Sequence, residues 1–382
     1  MPTKEQIWDA LSKVADPEIG KPITELDMVK NITVDGDNVI VEIYLTIAGC
    51  PLKDRITRDV TAAVRGVPGV GLVEVSLDVM SEEQRTAMVN RLRAGRPQTQ
   101  ERPIQFWQPG TKTRAILIAS GKGGVGKSSV TANLGVALGQ LGYKVGVVDC
   151  DIYGFSIHRV LGVSGRPTIL NDMALPLEAH GIKVMSMGFL VPDDQAMIFR
   201  GPMLHKYVYQ FLAGAYWGDV DFMLFDLPPG TGDVPLSLGK DFVPGADMIV
   251  VTTPQEAAQK VAVRAGKMIE QVPLKMLGVV ENMSYFVCPS CDERHQIFGE
   301  GGGLVLSKEL DTDLLAQIPF DTKLRQGSDE GKPIVVTEPD SPAASAIIEL
   351  AKRIAKTAPS LKGRMLPVMS VRPAGDGHGH SH

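Results

Sequence analysis

The sequence predicts an α/β protein in which a small α+β domain precedes a larger domain built on a doubly wound, mostly parallel sheet. Three observations lead to this prediction. The chain has 382 residues, 44% of them hydrophobic, which is enough for two separate cores. Patterns of half-buried strands flank a helix before residue 82. From residue 113 to residue 356, short apolar runs alternate with helical or glycine-rich stretches.

The first domain is expected to span residues 1–82. Apolar residues recur at helical spacing over residues 4–14, which predicts an amphipathic helix. Apolar and polar residues alternate over residues 39–45 and 73–78, the pattern of half-buried strands. A helical pattern over residues 53–64 lies between these strands, so the domain is predicted to be an α+β module.

The larger domain is expected to span residues 113–360. Residues 83–112 before it are rich in arginine and proline and have no sustained period, as is typical of a linker. Residues 361–382 after it are rich in glycine and histidine and are expected to form a disordered tail. Five apolar runs suit strands that are buried on both faces of a parallel sheet. These runs are Ala115–Ala119, Val145–Val148, Phe222–Phe225, Met248–Val251 and Leu277–Val280.

Residues 121–128 read Gly-Lys-Gly-Gly-Val-Gly-Lys-Ser and fit the phosphate-binding pattern G-x-x-x-x-G-K-[ST] between a predicted strand and a predicted helix. The glycines let successive backbone N–H groups turn toward one anion, and the helix N-terminus adds partial positive charge. Lys127 is expected to reach the β- and γ-phosphates of ATP, and the Ser128 hydroxyl is expected to ligate Mg²⁺. The predicted nucleotide-binding loop is Gly121, Lys122, Gly123, Gly124, Val125, Gly126, Lys127, Ser128 and Ser129.

Two aspartates are expected to complete the metal and water chemistry beside this loop. Asp226 follows the strand at Phe222–Phe225, and we interpret it as the Walker B carboxylate that helps to hold Mg²⁺. Asp151 follows the strand at Val145–Val148, and we expect it to orient the attacking water. Asp149 has an alternative role, because carboxylates at strand ends also cap the next helix.

The loop carries a second lysine, Lys122, directly after its first glycine. This lysine resembles the signature lysine of the deviant P-loop ATPases, which include the MinD and ParA proteins. Four further stretches make residues 113–337 similar to the Mrp/ApbC family of iron–sulfur cluster carriers. They are Val-Asp-Cys-Asp-Ile-Tyr-Gly at 148–154, Asp-Leu-Pro-Pro-Gly-Thr-Gly-Asp at 226–233, Glu-Asn-Met-Ser at 281–284 and Cys-Pro-Ser-Cys at 288–291.

This resemblance implies a homodimer that sandwiches its nucleotides between the two chains. Lys122 would cross to the phosphates of the partner's ATP, and Asn282 would read adenine in a pocket lined by Ile318 and Pro319. The resemblance also implies iron–sulfur donors and apoprotein recipients as partners. Motif and resemblance together give a predicted catalytic set of Lys122, Lys127, Asp151 and Asp226.

The first domain has a likeness of its own. Residues 16–20, which read Asp-Pro-Glu-Ile-Gly, together with residues 25–29 and 46–51, resemble the small SufT-like domain of iron–sulfur assembly proteins. Cys50 lies at a predicted strand-to-helix turn, where a helix N-terminus favours the reactive thiolate. An accessory functional thiol and a buried, inert cysteine both remain open for Cys50, whereas Cys150 is expected to be a buried small hydrophobe.

Cys288 and Cys291 form a Cys-x-x-Cys pair in a polar loop. Iron–sulfur clusters and structural zinc each require four protein ligands, and this loop offers two, with His295 as a conceivable third. Two such pairs that face each other across a two-fold axis would supply four thiolates. We therefore predict a [4Fe–4S] cluster at a dimer interface. Zinc binding and a redox or structural thiol pair remain alternatives.

Charge and hydropathy exclude several other functions. A net charge of −5 argues against a nucleic-acid-binding surface. The sequence contains no run of about 18 apolar residues, the length that would predict a membrane span. The protein is therefore expected to be soluble and cytoplasmic. An alternative is a MinD- or ParA-like positioning ATPase without a cluster, which would leave the cysteine pair unexplained. The tail contains three histidines, His378, His380 and His382. We interpret them as solvated rather than metal-binding.

Overall fold

The structure is a computed structural model that describes most of the chain. The described residues are 2–46, 52–92, 102–152, 154–190, 201–230, 232–255, 272–288, 290–291 and 293–357, with Val263 and Lys267. Cys50 and the predicted tail with its histidines lie outside these residues. Within the described ranges, no helix is long and apolar enough to cross a bilayer.

The first domain is a three-stranded sheet covered by helices. Its strands lie in the order β1-β2-β3, with β1 antiparallel to β2 and β3 parallel to β2. The first helix is fixed by a capping box, in which Thr3 and Gln6 each accept a backbone hydrogen bond from the other. The elements are α1 (Lys4–Leu11), β1 (Val29–Asp35), β2 (Asn38–Leu45), α2 (Lys53–Arg65), β3 (Val73–Val79) and α3 (Glu82–Leu92).

The helix α3 occupies the start of the segment that the sequence predicts as a linker. Met88 and Val89 on this helix are buried in the core of the first domain. Arg91 at its end forms an ion pair with Asp27 at 2.5 Å and donates a hydrogen bond to the carbonyl of Glu25. These contacts hold α3 on the first domain. The sequence predicts a linker here instead of a helix, because the apolar residues of α3 show little amphipathic periodicity.

The second domain alternates strands and helices as predicted, with four additional short strands after α5. Its elements are β4 (Arg114–Ser120), α4 (Lys127–Gln140), β5 (Val145–Asp149), α5 (Ile157–Val160), β6 (Thr168–Leu170), β7 (Met173–Leu175), β8 (Leu177–Ala179), β9 (Ile182–Met185), α6 (Gly201–Ala213), β10 (Phe222–Asp226), α7 (Asp233–Ser237), β11 (Asp247–Thr252), β12 (Lys275–Val287), β13 (Arg294–His295), α8 (Gly302–Glu309), β14 (Leu314–Phe320), α9 (Thr322–Glu330), α10 (Ile334–Thr337) and α11 (Pro342–Lys356).

The central sheet confirms the predicted fold class. Its strands run in the order β13-β12-β11-β4-β10-β5-β9-β8, and β14 pairs with β12. The strands β4, β5, β10 and β11 are parallel neighbours and are buried at every position, because helices cover both faces of the sheet. The antiparallel strands β8 and β13 pair with β9 and β12 and were not predicted. Because β4, β5 and β10 are parallel, their carboxyl ends lie at the same edge of the sheet.

A hairpin formed by β6 and β7 joins the two domains. Leu170, Met173 and Leu175 of this hairpin are part of the hydrophobic core of the first domain. Thr168 on the same hairpin donates a hydrogen bond of 2.9 Å to the carboxylate of Glu18, which belongs to the Asp-Pro-Glu-Ile-Gly stretch. Burial raises the pKa of Glu18, and the hydrogen bond from Thr168 partly opposes that rise. The first domain therefore packs against the second domain through both apolar contacts and a hydrogen bond.

A buried ion pair fastens the edge of the central sheet opposite the phosphate loop. The Nε of Arg114, the first residue of β4, donates a hydrogen bond of 2.6 Å to Asp247, the first residue of β11. Arg114 also donates to the carbonyls of Ile354 and Thr357 at the end of α11. Both charged groups are buried. The contacts of Arg114 connect β4 with β11 and with the end of α11.

We expect Arg114→Ala to lower the free energy of unfolding of the second domain by about 3–5 kcal/mol, because the change leaves the Asp247 carboxylate buried without its partner. The measurement is urea unfolding followed by circular dichroism. The matched control is Lys323→Ala, which breaks the exposed pair with Glu338 and should cost about 1 kcal/mol or less. Equal losses in the two variants would contradict the assigned role of the buried pair.

Candidate functional site

The loop between β4 and α4 forms one wall of an open cleft of about 520 Å³. Gly124 and Gly126 adopt left-handed backbone angles, with φ of +79° and +78°, which side chains rarely tolerate. These angles turn the loop so that it leads directly into the N-terminus of α4, a helix of 14 residues. Such an N-terminus attracts anions through its free N–H groups and its dipole. Asp151, Arg159, Pro229 and Ser328 line the rest of the cleft.

Lys127 and Ser128 line this cleft, and their side chains contact the buried carboxylate of Asp226. The Ser128 hydroxyl donates a hydrogen bond of 2.6 Å to Oδ2 of Asp226, and Lys127 Nζ lies 2.7 Å from the same oxygen. Thr131 donates a hydrogen bond of 2.7 Å to Oδ1 of Asp226. Sequence reasoning missed Thr131. Its position three residues after Ser128, on the same face of α4, is the signal that could have found it.

Lys127 keeps donor capacity despite its ion pair with Asp226. Its side chain is only 7% exposed, and its Nζ has no hydrogen-bond acceptor in suitable geometry among the described residues. A buried ammonium in this state is costly unless further acceptors reach it. Phosphate oxygens placed at the N-terminus of α4 would supply such acceptors. The residue is therefore well suited to bind an anion in the cleft.

Asp149 is the last residue of β5 and Asp151 follows two residues later, but the two side chains have different surroundings. Asp149 is fully buried and accepts hydrogen bonds from the N–H groups of Ser156 and Ile157 at 3.0 and 3.1 Å, so it caps α5. Burial, followed by the charge of Asp226, raises the pKa of Asp149 to about 7. Asp151 is partly exposed to the cleft and accepts a hydrogen bond from the Gly154 N–H at 3.0 Å. Only Asp151 therefore faces the space where a nucleotide would react.

Lys122 contacts its own chain rather than the floor of the cleft. Its ammonium donates a hydrogen bond of 2.7 Å to the side-chain oxygen of Gln255, which follows β11. The side chain lines the open side of the cleft and is partly exposed. Gln255 is a neutral acceptor, and ammonium groups bind anionic oxygens more strongly, so Lys122 can leave it when a phosphate is present.

Asn282 lies against the backbone of the phosphate loop. Its amide donates a hydrogen bond of 2.9 Å to the carbonyl of Val125, and a Cβ at Gly126 would lie 2.3 Å from Asn282 Nδ2. Glycine is thus required at position 126 both for its φ angle and for this approach. Pro319 is buried on β14, whose Ile318 pairs with Asn282 on β12. The adenine-reading role implied for Asn282 and Pro319 stays a prediction.

The cysteine pair lies at the far end of β12, in a hairpin formed with β13. The N–H of Cys288 donates a hydrogen bond of 2.9 Å to the carbonyl of Glu293 and closes the turn. The ligand atoms of Cys288, Cys291 and His295 all lie within 4.8 Å of one another. Hydrogen bonds from the backbone N–H of Ser290, from the Cys291 side chain and from the Cys291 N–H lower the pKa of Cys288. The lowered pKa favours the thiolate, the form that binds metals.

Cys150 has a different environment from this pair. It is buried between Asp149 and Asp151, and its Sγ lies 3.8 Å from the carbonyl of Val148. Burial, followed by the charges of Asp149 and Asp226, raises the pKa of Cys150 well above its ordinary value. The residue packs as a small apolar side chain, as the sequence predicted.

Two family models match this chain and together cover both predicted domains. Residues 111–355 match the model described as NUBPL iron-transfer P-loop NTPase. Residues 4–77 match the model described as Iron-sulfur cluster assembly protein. These ranges agree with the two resemblances found in the motifs.

Full-length relatives carry the name Iron-sulfur cluster carrier protein. One from Mycobacterium tuberculosis is 48% identical over 373 residues, covering 96% of this chain and 97% of the relative. One from Synechocystis is 41% identical over 361 residues, covering 93% and 98%. Among solved structures, a nucleotide-binding protein from Archaeoglobus fulgidus in complex with ADP is 39% identical, with a TM-score of 0.53, over 60% of this chain and 90% of that one.

We expect Asp226→Asn to remove the gain in nucleotide affinity that Mg²⁺ provides, a loss of about 10- to 100-fold, because the neutral amide no longer attracts the cation beside Ser128. ADP binding measured by calorimetry with and without Mg²⁺ tests this. Asp329→Asn is the control, since Asp329 lines the rim of the same cleft without contacting Lys127 or Ser128. A Mg²⁺ effect that survives in Asp226→Asn would assign the cation to other ligands.

Proposed function

This chain belongs to the family of iron-transfer P-loop NTPases, and from that premise we propose that it is an ATP-hydrolysing carrier of a [4Fe–4S] cluster. Two copies of the chain would hold the cluster between them and pass it to apoproteins. The relatives named as iron–sulfur cluster carriers span nearly the whole chain, which supports the carrier function. The observation that carries the proposal is the course of β12, which runs from the phosphate loop to the cysteine hairpin.

The strand β12 gives the nucleotide site a direct route to the cysteine pair. Asn282 on this strand donates to the Val125 carbonyl of the phosphate loop, and Cys288 follows six residues later. Six fully extended residues span about 20 Å, and the left-handed backbone at Met283 makes the actual distance shorter. A shift of the loop on nucleotide binding would move Asn282, and the continuous backbone would carry that movement to Cys288. ATP would thereby act on the geometry of the cluster ligands.

The residues of the cleft support hydrolysis of a nucleoside triphosphate. The loop N–H groups and Lys127 would hold the phosphates and stabilise the charge that develops on the transferred group. Ser128 and Asp226 would hold Mg²⁺, which would neutralise charge on the β- and γ-phosphate oxygens. Asp151, the carboxylate open to the cleft, would orient the attacking water. Asp149 has no part in this step, because its oxygens are engaged in capping α5.

Lys122 would act across the dimer. Its acceptor Gln255 is neutral and its side chain is partly exposed, so a phosphate of the partner's nucleotide would compete for its ammonium. This arrangement would make hydrolysis depend on dimer formation. It would also tie the nucleotide state to the distance between the two cysteine pairs.

The cluster would be the cargo of the carrier rather than a resident cofactor. Cys288 and Cys291 from two chains supply four thiolates, and separation of the chains removes half of them. Such a cluster is easy to release to a recipient. The positioning ATPases offer no account of this cysteine hairpin, so we do not favour them. We assign to the first domain the docking of donors or recipients, with Cys50 as an accessory thiol.

We expect Lys127→Ala to reduce ATP turnover by at least about 100-fold, because Lys127 is the buried cation at the phosphate site. Lys122→Ala should reduce turnover as strongly while the separate chain still binds ATP, because its ammonium acts on the partner's nucleotide. Steady-state phosphate release and calorimetric ATP binding on the same samples distinguish the two lysines. Equal loss of ATP binding in both variants would refute the crossing role of Lys122.

We also expect anaerobic reconstitution with iron and sulfide to give about four irons per dimer, since two thiolates per chain cannot hold the cluster alone. Cys288→Ala and Cys291→Ala should each lose the cluster almost completely, because each change removes two of the four ligands. Cys150→Ala, a buried cysteine away from the hairpin, is the control and should keep it. Iron analysis of size-exclusion fractions decides the matter, and a stable cluster in a one-chain fraction would overturn the proposal.

A further inference from the structure

The register of the cysteine hairpin places a histidine beside the two thiols of a single chain. In the antiparallel ladder between β12 and β13, Phe286 pairs with His295 and Val287 pairs with Arg294. Continuing that register places Cys288 opposite Glu293, as the hydrogen bond between their backbones requires. His295 is then the diagonal neighbour of Cys288 on one face of the hairpin, a relation that brings long side chains into reach.

The spacing of these three side chains matches a site for one metal ion. Two thiolates on one tetrahedral metal with bonds of about 2.3 Å lie about 3.8 Å apart. In a cluster each cysteine binds a different iron, so the two sulfurs must lie farther apart than on a single ion. The ligand atoms of Cys288, Cys291 and His295 lie within 4.8 Å of one another without any partner chain. The hairpin of one chain is thus already folded as a compact three-ligand set.

Neighbouring side chains place charge beside this set and brace its hairpin. The Glu293 carboxylate lies 4.0 Å from Nε2 of His295, beyond hydrogen-bond distance, so it puts a negative charge beside the imidazole. The guanidinium of Arg294 stacks 4.6 Å from the ring centroid of Tyr285, which joins the two strands of the hairpin through their side chains as well. This stacking braces the hairpin that carries the three ligands.

We propose that a single chain binds one divalent transition-metal ion, of the Zn²⁺ or Fe²⁺ class, through Cys288, Cys291 and His295. Two thiolates and one imidazole form a ligand set that suits these ions, and a water molecule completes the fourth position. This inference goes beyond the cluster-carrying function, because it concerns the chain without a partner chain or a cluster. It shares the two cysteines with the proposed cluster, so the ion and the cluster exclude each other.

This site gives the separated chain a defined state. Cys291 is exposed and Cys288 is partly exposed, so both thiols would otherwise meet solvent after the cluster leaves. An ion bound by Cys288, Cys291 and His295 keeps both sulfurs coordinated until iron and sulfide, or a donor protein, replace it. The affinity of the ion would then set how readily the chain is reloaded.

The test is an anaerobic titration of the full-length apoprotein with Co²⁺, whose thiolate charge-transfer and ligand-field bands report the ligand set. We expect one Co²⁺ per chain with thiolate bands of tetrahedral intensity. His295→Ala should weaken this binding by at least about 10-fold, and Cys291→Ala should remove the thiolate bands. His205→Ala is the control, because His205 is exposed on α6 and contacts Ser237 instead. Binding by the tail histidines gives no thiolate band and is thereby separated.

One Co²⁺ per two chains, with four thiolates and no effect of His295→Ala, would overturn the inference and leave the dimeric cysteine site in place. One Co²⁺ per chain with unchanged affinity in His295→Ala would also overturn it, since His295 would not be a ligand. The iron content of the reconstituted dimer is measured separately, so failure of the single-chain site and failure of the cluster proposal remain distinguishable. Preloading with Zn²⁺ should slow cluster reconstitution about 10-fold or more, and His295→Ala should relieve that inhibition.

Discussion

The parallel pairing of β4, β10 and β5 is the constraint on which the candidate nucleotide site depends. This pairing sets Asp226 beside Ile118 on one side and beside Asp149 on the other, directly under the first turn of α4. Two carboxylates and one ammonium therefore share a buried space. Lys127 forms an ion pair with Asp226, whereas burial, followed by the charge of Asp226, raises the pKa of Asp149 to about 7. The sheet thus separates a carboxylate for cation binding from one that serves the fold.

The second constraint is that β12 extends six residues beyond the end of its pairing with β11. The register between β12 and β14 shifts between Asn282 and Phe286, and Met283 within this interval has a left-handed φ of +54°. That angle is costly for a residue with a side chain, so surrounding contacts must maintain it. Beyond Met283 the strand pairs with β13 and again with β14, at Phe286. The phosphate loop therefore contacts β12 just before Met283, and the cysteine hairpin follows after Met283.

Sequence patterns predicted the features that rest on local chemistry. The glycine loop and the buried strands have distinct compositions, and the predicted strand bounds fall within a few residues of those observed, except at β12, which extends seven residues further. The strands β6, β7 and β8 have three residues each, too few to show a period, and β1 shows no clean alternation. The contact of Asp226 with the phosphate loop was predicted because a known motif pairs them, but contacts outside such a motif were not predicted. Asn282 with Val125, Lys122 with Gln255 and Thr168 with Glu18 depend on strand order and domain docking rather than on spacing.

The central claim is that β12 couples the nucleotide site to the cysteine hairpin, and the rate of cluster loss to a chelator measures this coupling most directly. The reconstituted protein would be compared with Asn282→Ala, each with and without saturating Mg²⁺ and ATP. The account predicts a nucleotide effect of about 5- to 150-fold in the unaltered chain, a typical range for coupled sites, and a much smaller effect in the variant. An equal nucleotide effect in both proteins would contradict coupling through this strand.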